Sequence, residues 1–153
     1  MAVSRIECEA TIVKVSNLYE TAPMYVEDQP SFLNAALLVE TSLGPMSLLA
    51  LLKCIERSLG RTESPRYGPR EIDLDLLTYG VARYTYRTGG VEVLVLPHPR
   101  IPERRFVLQP LCDLDPRLNL PGLGQAESLL HSTEVQSQSV LVTSNALLPV
   151  LRD

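Results

Sequence analysis

Asp73 and Asp75 stand one residue apart in the apolar stretch Glu71 to Tyr79, which reads as a strand. Alternate strand residues share a face, so both carboxylates point the same way, about 7 Å apart along the backbone. Ile72, Leu74 and Leu76 take the opposite face, toward a core. With the carboxyl groups roughly 5 Å apart and an effective dielectric near 20, repulsion is on the order of 3 kcal/mol, and a cation is needed to offset it. Hard oxygen ligands on a rigid strand suit Mg²⁺, which completes its shell with water and phosphate oxygens. Such a pair also suits two metal ions. The plainer alternative is a solvent-facing acidic pair bridged to Arg66 or Arg70.

Just before this strand, Arg61, Arg66 and Arg70 share a segment punctuated by Pro65, Gly68 and Pro69. Cations in a loop beside a metal strand are what phosphoryl transfer needs, because charge on the transferred group must be neutralised. No G-x-x-x-x-G-K-[ST] string is present, so the chain is not a P-loop enzyme. Pro97-His98-Pro99-Arg100, followed by Arg104-Arg105-Phe106, places a histidine between prolines and ahead of three arginines. His98 suits a phosphate oxygen or acid catalysis; the alternative is a structural histidine. Phe106 is either core or a stacking ring. Asn34 offers an amide to a heterocycle edge, with Phe32 beside it to stack, although an asparagine here also suits a cap or turn.

The elements that must position these residues follow from apolar spacing. Glu9 to Ser16 reads as a strand, Asn17 to Ser31 as a loop, and Leu33 to Thr41 as one buried strand. Gly44-Pro45 opens a helix with proline at its first position, Leu48, Leu52, Ile55 and Leu59 form its buried stripe, and Gly60 ends it. Segment 61–70 is a loop. Gly80 to Gly90 reads as a hairpin or excursion, Val91 to Leu96 as a strand, and Phe106 to Leu111 as a short helix. Gln125 to Ser139 is polar, and a short strand follows at Ser139 to Thr143. The order is three-quarters of a β-α-β-β-α-β split unit, an α+β fold.

Composition bounds the rest. The chain has 153 residues, 45% hydrophobic and 21% charged, which fits a globular domain and no more than one of ordinary size. The net charge of −4 speaks against broad nucleic-acid binding. No apolar run approaches the roughly 20 residues that span a bilayer, so no membrane association is expected. Cys8, Cys54 and Cys112 are odd in number and far apart, which fits a reducing compartment rather than a disulfide framework. Nine of the twelve arginines lie between Arg57 and Arg105, against six acids. Guanidinium forks match phosphate oxygens two at a time, so the cluster suggests a small phosphorylated ligand.

Taken together, Tyr19-Glu-Thr, Phe32-Leu-Asn-Ala-Ala, Ile55-Glu56, Gly60-Arg61, Tyr67-Gly-Pro-Arg-Glu-Ile-Asp-Leu-Asp75, and Pro97-His-Pro-Arg with Arg104 and Phe106 resemble the 6-hydroxymethyl-7,8-dihydropterin pyrophosphokinase family of folate biosynthesis. The strings run in family order from about residue 11 to about residue 122, with 123–153 as a C-terminal extension of a single domain. The resemblance implies a ferredoxin-like α/β sandwich with a mainly antiparallel sheet. It implies transfer of pyrophosphate from ATP to the pterin hydroxymethyl, giving AMP. By the same resemblance, Asp73 and Asp75 hold two Mg²⁺ ions, and Arg61 and Arg70 lie in a catalytic loop. His98 and Arg104 bind ATP phosphates, and Glu56 lies near the nucleotide. Tyr67 stands where the family often has a tryptophan lid. Thr21 and Asn34 read the pterin edge, and Phe32 and Phe106 flank its ring.

Family members begin with a strand, a Gly-Ser-Asn turn and a helix. Nothing here matches them; segment 1–7 reads as the end of that helix or as unrelated sequence, so the first β-α unit is expected to be missing. Three readings follow: an active pyrophosphokinase; a truncated, non-catalytic nucleotide- or pterin-binding remnant or a fragment of a larger folate enzyme; and a generic Mg²⁺-dependent phosphohydrolase. A fused or partner dihydropteroate synthase fits the second. The expected compartment is the cytoplasm, or the mitochondrion if an N-terminal segment precedes residue 1.

Overall fold

The computed structural model describes residues 2–21, 31–59, 72–132, 135 and 138–144. Helix α1 (Ala2–Ile6) leads into β1 (Thr11–Val15), which pairs antiparallel with β4 (Leu37–Glu40). The pairing puts Ile12 opposite Val39 and Val15 opposite Leu37. Between these strands, β2 (Leu18–Thr21) and β3 (Phe32–Asn34) form a second antiparallel pair, and β9 (Leu141–Ser144) adds to the other edge of β2. Helix α2 (Pro45–Ser58) begins with proline at its first turn and buries Leu48, Leu52 and Ile55 at i, i+4, i+7 spacing, as their periodicity requires. Leu52 and Ile55 meet Ile6, Ala10, Leu37, Val39, Leu74 and Leu76 in one apolar cluster.

A hairpin follows. Strands β5 (Tyr84–Thr88) and β6 (Val91–Leu96) are joined by Gly89-Gly90, whose φ of 56° and 79° glycine alone adopts without strain. A 3₁₀ turn (Ile101–Glu103) then enters α3 (Arg105–Leu114). Strands β7 (Asn119–Leu120) and β8 (Gly124–Gln125) make a short hairpin before α4 (Ala126–Leu130). Ile101, Leu108, Leu111, Leu120, Ala126, Leu130 and Val135 form the second cluster, between α3 and α4. Leu108, fully buried, contributes about 1.5–3 kcal/mol by leaving water. Lys14 Nζ donates to the Leu114 carbonyl at 2.8 Å, which places a cation at the C-terminal end of α3.

The α+β class and the antiparallel pairing agree with expectation. Several element boundaries differ. Leu18–Thr21 is a strand rather than part of a loop, because Tyr19 is buried against α3 and β2 finds partners on both edges. The single strand expected over Leu33 to Thr41 is split: at Ala36 the chain bonds to Ser16 (Ser16 N–H to Ala36 O 2.9 Å; Ala36 N–H to Ser16 Oγ 2.8 Å) and passes from one sheet to the other. Helix α3 starts at Arg105 and runs on through Pro110 to Leu114, longer than the Phe106 to Leu111 expected.

Segment 72–79 is not in a ladder, so the described strands form separate antiparallel sheets rather than one continuous sheet. The C-terminal strand joins β2, not this segment. Gly60 and the arginine loop 61–70 fall outside the described residues. Among the described residues no helix is long and apolar enough to cross a membrane.

Candidate functional site

A backbone without a ladder must place its polar groups elsewhere. In segment 72–79 those of Leu74 go to side chains of α2. Leu74 N–H donates to Glu56 Oε1 at 2.6 Å, and the Leu74 carbonyl accepts from Lys53 Nζ at 3.1 Å. Lys53 and Glu56 are one helical turn apart and meet each other at 2.9 Å, with Glu56 only 1% exposed. Two side chains of α2 thus replace a neighbouring strand for the residue that separates the aspartates. Leu74 and Leu76 pack into the core, so Asp73 and Asp75 turn outward, as alternation requires.

Each aspartate is a little under half exposed, and among the described residues each faces a cation at the outer limit of ion pairing. Lys53 Nζ is 4.0 Å from Asp73 Oδ1, and Arg104 Nη1 is 4.0 Å from Asp75 Oδ2. The Asp73 carboxyl is raised above the ordinary range, first by burial and then by the charge on Asp75, with Lys53 opposing. Mutual repulsion not fully offset by neighbouring cations is the property a divalent-ion site needs, and both groups are hard oxygen donors. Among the described residues no cluster of three or more metal-ligating side chains occurs. A Mg²⁺ ion here would therefore take its remaining ligands from water and substrate oxygens. The residues fit that group.

His98 is placed by its own backbone: its N–H donates to the Leu77 carbonyl at 2.8 Å, at the far end of the carboxylate segment. Its Nδ1 accepts from Arg100 N–H at 3.2 Å, so the neutral ring carries its proton on Nε2. Burial pushes the imidazole below its ordinary value, Arg104 and Arg100 push the same way, and Asp75 opposes them. The ring is thus a neutral donor at pH 7. Arg104 sits 5.6 Å from the Phe106 ring centroid, a cation over an aromatic face. Beside these groups lies an open groove of about 310 Å³, with Leu49, Leu76, Val93 and Val95 as apolar walls and Lys53, Asp75 and His98 at its polar end.

The second group lies on β2 and β3. Asn34 is paired with Tyr19 across the ladder, and Phe32 with Thr21. Asn34 Nδ2 donates to Thr21 Oγ1 at 2.9 Å and to the Phe32 carbonyl at 3.3 Å. Both amide hydrogens are thereby used, and Oδ1 is left as an acceptor for a ligand's N–H groups. Phe32 is 38% exposed. Helix α3, which carries Phe106, packs on both β2 and β3.

The structure therefore places Asp75 and His98 on one groove with Lys53 and Glu92, sets Glu56, Asp73, Arg104 and Phe106 beside them through Lys53, Leu74 and Asp75, and puts Thr21, Phe32 and Asn34 together on the β2–β3 pair. Arg61, Tyr67 and Arg70 lie outside the described residues. Sequence reasoning passes over Lys53, although one of only two lysines, three residues before Glu56 on the same helix, is a readable signal. It also passes over Asp113, whose Oδ2 accepts from Tyr19 Oη at 2.8 Å and from Asn17 N–H at 3.0 Å. The separation of about a hundred residues leaves no local trace. A larger cavity of about 610 Å³ lies between α3 and α4, lined by Arg105, Gln109, Asp113, Glu127 and His131. It contains none of the residues expected to do chemistry, and the smaller groove is the better candidate because the carboxylate and the histidine open onto it.

The family model described as 7,8-dihydro-6-hydroxymethylpterin-pyrophosphokinase matches residues 1–116. The chain is 54% identical over 103 residues to the mitochondrial folate synthesis bifunctional protein of Pisum sativum, covering 67% of this chain and 19% of that protein. It is 49% identical over 104 residues to the 2-amino-4-hydroxy-6-hydroxymethyldihydropteridine pyrophosphokinase of Bacillus subtilis, covering 68% of this chain and 59% of that one. With the Pseudomonas aeruginosa protein of the same name the identity is 41% over 113 residues, 74% of this chain and 67% of that one. The chain thus spans about a fifth of the pea protein and somewhat under two thirds of the Bacillus one.

Proposed function

Because the chain belongs to the 7,8-dihydro-6-hydroxymethylpterin-pyrophosphokinase family, we propose that it transfers pyrophosphate from ATP to 6-hydroxymethyl-7,8-dihydropterin. In that reaction the hydroxymethyl oxygen bonds to the β-phosphorus, and the bond from that phosphorus to the oxygen bridging the α-phosphate breaks. AMP leaves with the bridging oxygen, and the hydroxyl proton is released. The observation that carries the reading is the outward-turned pair Asp73 and Asp75, with Asp75 and His98 on one groove and Arg104 4.0 Å from Asp75.

In this reading Asp73 and Asp75 hold Mg²⁺, with two ions expected, and the metal supplies charge neutralisation for the polyphosphate. Arg104 and the Nε2–H of His98 bind phosphate oxygens, and Glu56 positions the carboxylate segment. The apolar walls of the groove accept the flat base. Thr21 and Asn34 read the pterin edge, with Phe32 and Phe106 against its ring. By the family resemblance, Arg61 and Arg70 would take the catalytic role and Tyr67 would bind the nucleotide. We place the activity in a single domain that includes the segment after residue 116, in the cytoplasm or in the mitochondrion as the name of the pea protein has it. A dihydropteroate synthase, fused or separate, would consume the product.

The test is incubation of the chain with ATP, Mg²⁺ and the reduced pterin. AMP and a diphosphorylated pterin in equal amounts support the proposal. Phosphate released without a pterin acceptor would instead indicate a phosphohydrolase, and ligand binding without turnover a non-catalytic chain.

A further inference from the structure

Among the described residues, the charged and ring partners of the Arg104 guanidinium are loose, 4.0 Å to Asp75 and 5.6 Å to the centre of the Phe106 ring. Its direction therefore depends on its backbone. That backbone is extended (φ −125°, ψ 103°), a single such residue between the 3₁₀ turn and α3. Its own N–H donates to the Ile101 carbonyl at 3.2 Å and its carbonyl accepts from Val107 and Leu108 N–H at 3.1 and 3.0 Å; the other half of each flanking peptide group goes to one side chain. Gln138 Nε2 donates to the Glu103 carbonyl at 2.7 Å, and Gln138 Oε1 accepts from Arg105 N–H at 2.9 Å. A primary amide has one acceptor and two donors, so it bridges an extended residue as a residue of a neighbouring strand does.

Gln138 is itself fixed on both sides. Its N–H donates to the carbonyl of Val135, which is 1% exposed in the cluster with Leu108 and Leu111. Its own carbonyl accepts from Arg105 Nη1 at 3.1 Å. Beyond it, β9 joins β2, with Val142 opposite Tyr19. Gln138 also lies past the family match, which stops at residue 116.

We propose that Gln138 is a positioning residue for Arg104: its amide fixes the extended residue that aims the guanidinium at the nucleotide's phosphates. The proposal rests on the reading of Arg104 as a phosphate ligand. Without the amide, the junction loses its bonds to Gln138 at Glu103 and Arg105, and the guanidinium samples directions that miss the phosphate.

A double-mutant cycle tests this in the full chain, using titration calorimetry with a non-hydrolysable ATP analogue and Mg²⁺. Arg104→Ala should weaken binding. Gln138→Ala should weaken it roughly tenfold, the size expected for a pair of hydrogen bonds, but should add nothing in the Arg104→Ala background. Gln138→Glu keeps an acceptor for Arg105 N–H and loses the donor to Glu103, so it should fall between; it decides the matter if Gln138→Ala does not fold. Unchanged binding in Arg104→Ala means the phosphate reading is wrong. Weakening by Arg104→Ala with none from either Gln138 variant overturns the positioning role alone. Equal weakening by a Gln138 variant in both backgrounds shows a general structural effect and overturns it too.

Discussion

Segment 72–79 and strand β2 both carry candidate site residues and are held in opposite ways. Strand β2 has ladders on both edges, to β3 and β9, and a buried tyrosine tied to α3. The carboxylate segment has no ladder; its hydrogen bonds go to Glu56 and Lys53 of α2 and to the His98 backbone. A ladder spreads the load over many equivalent backbone groups, so one side chain matters little. A segment held by particular side chains depends on each of them. Substitutions around the carboxylates should therefore cost more than substitutions around Asn34 and Tyr19.

The largest effect is expected at the carboxylates themselves. Asp73→Asn or Asp75→Asn should lower turnover by about a thousandfold or more, since preorganised charge at a phosphoryl group commonly contributes that much. The metal-free fold should be undiminished or slightly more stable, because Asp73 is raised first by burial and then by the charge on Asp75, and removing one charge relieves the repulsion between them. Product formation and thermal melting on the same sample check both halves; full turnover would remove the metal assignment.

Next is Glu56→Ala, which leaves the Leu74 N–H without its 2.6 Å acceptor and Lys53 without its 2.9 Å partner. The expected loss is about 2–4 kcal/mol in denaturant unfolding. Glu56→Gln keeps the acceptor and should lose about half as much. A cost below about 1 kcal/mol for the alanine would mean that α2 does not hold the carboxylate segment, and the contrast with β2 would collapse.

Asn34→Ala should weaken pterin binding by about 1–3 kcal/mol, the cost of heterocycle groups left unpaired, while nucleotide affinity stays within error. Calorimetry with each ligand alone separates the two. Equal losses for both would indicate a misfolded β2–β3 pair rather than a lost ligand contact.

The smallest effect concerns Tyr19. Burial above all, together with Asp113, pushes its phenol up to about 12, against about 10 in an unfolded chain. The folded value is the higher one, so this contribution to stability is complete below pH 10 and is lost as pH rises from 10 to about 12. Tyr19→Phe should cost about 1 kcal/mol at neutral pH and flatten the stability curve across that alkaline window. If denaturation from pH 9 to 12 is the same in both proteins, Asp113 does not anchor β2 through Tyr19.

What could be read from the chain directly was whatever depends on neighbours in sequence. Alternation puts Asp73 and Asp75 on one side and Leu74 and Leu76 on the other whether or not a ladder forms, because the pleat is a property of the extended backbone. Helical spacing identified the buried stripe Leu48, Leu52 and Ile55, and proline marked the start of α2. The string from Tyr67 to Asp75 pointed to the family before any geometry was known.

Only the tertiary structure decided which group each backbone donor and acceptor takes. Leu74 N–H bonds eighteen residues away to Glu56, Arg105 N–H thirty-three away to Gln138, and Asn17 N–H ninety-six away to Asp113. A hydrogen bond reaches about 3 Å, so its partner depends on which elements packing brings together. No window of sequence contains both ends. For the same reason, Asn17 to Ser31 read as a loop and Leu33 to Thr41 as one strand, until Tyr19, Ser16 and Ala36 found distant partners that divided them.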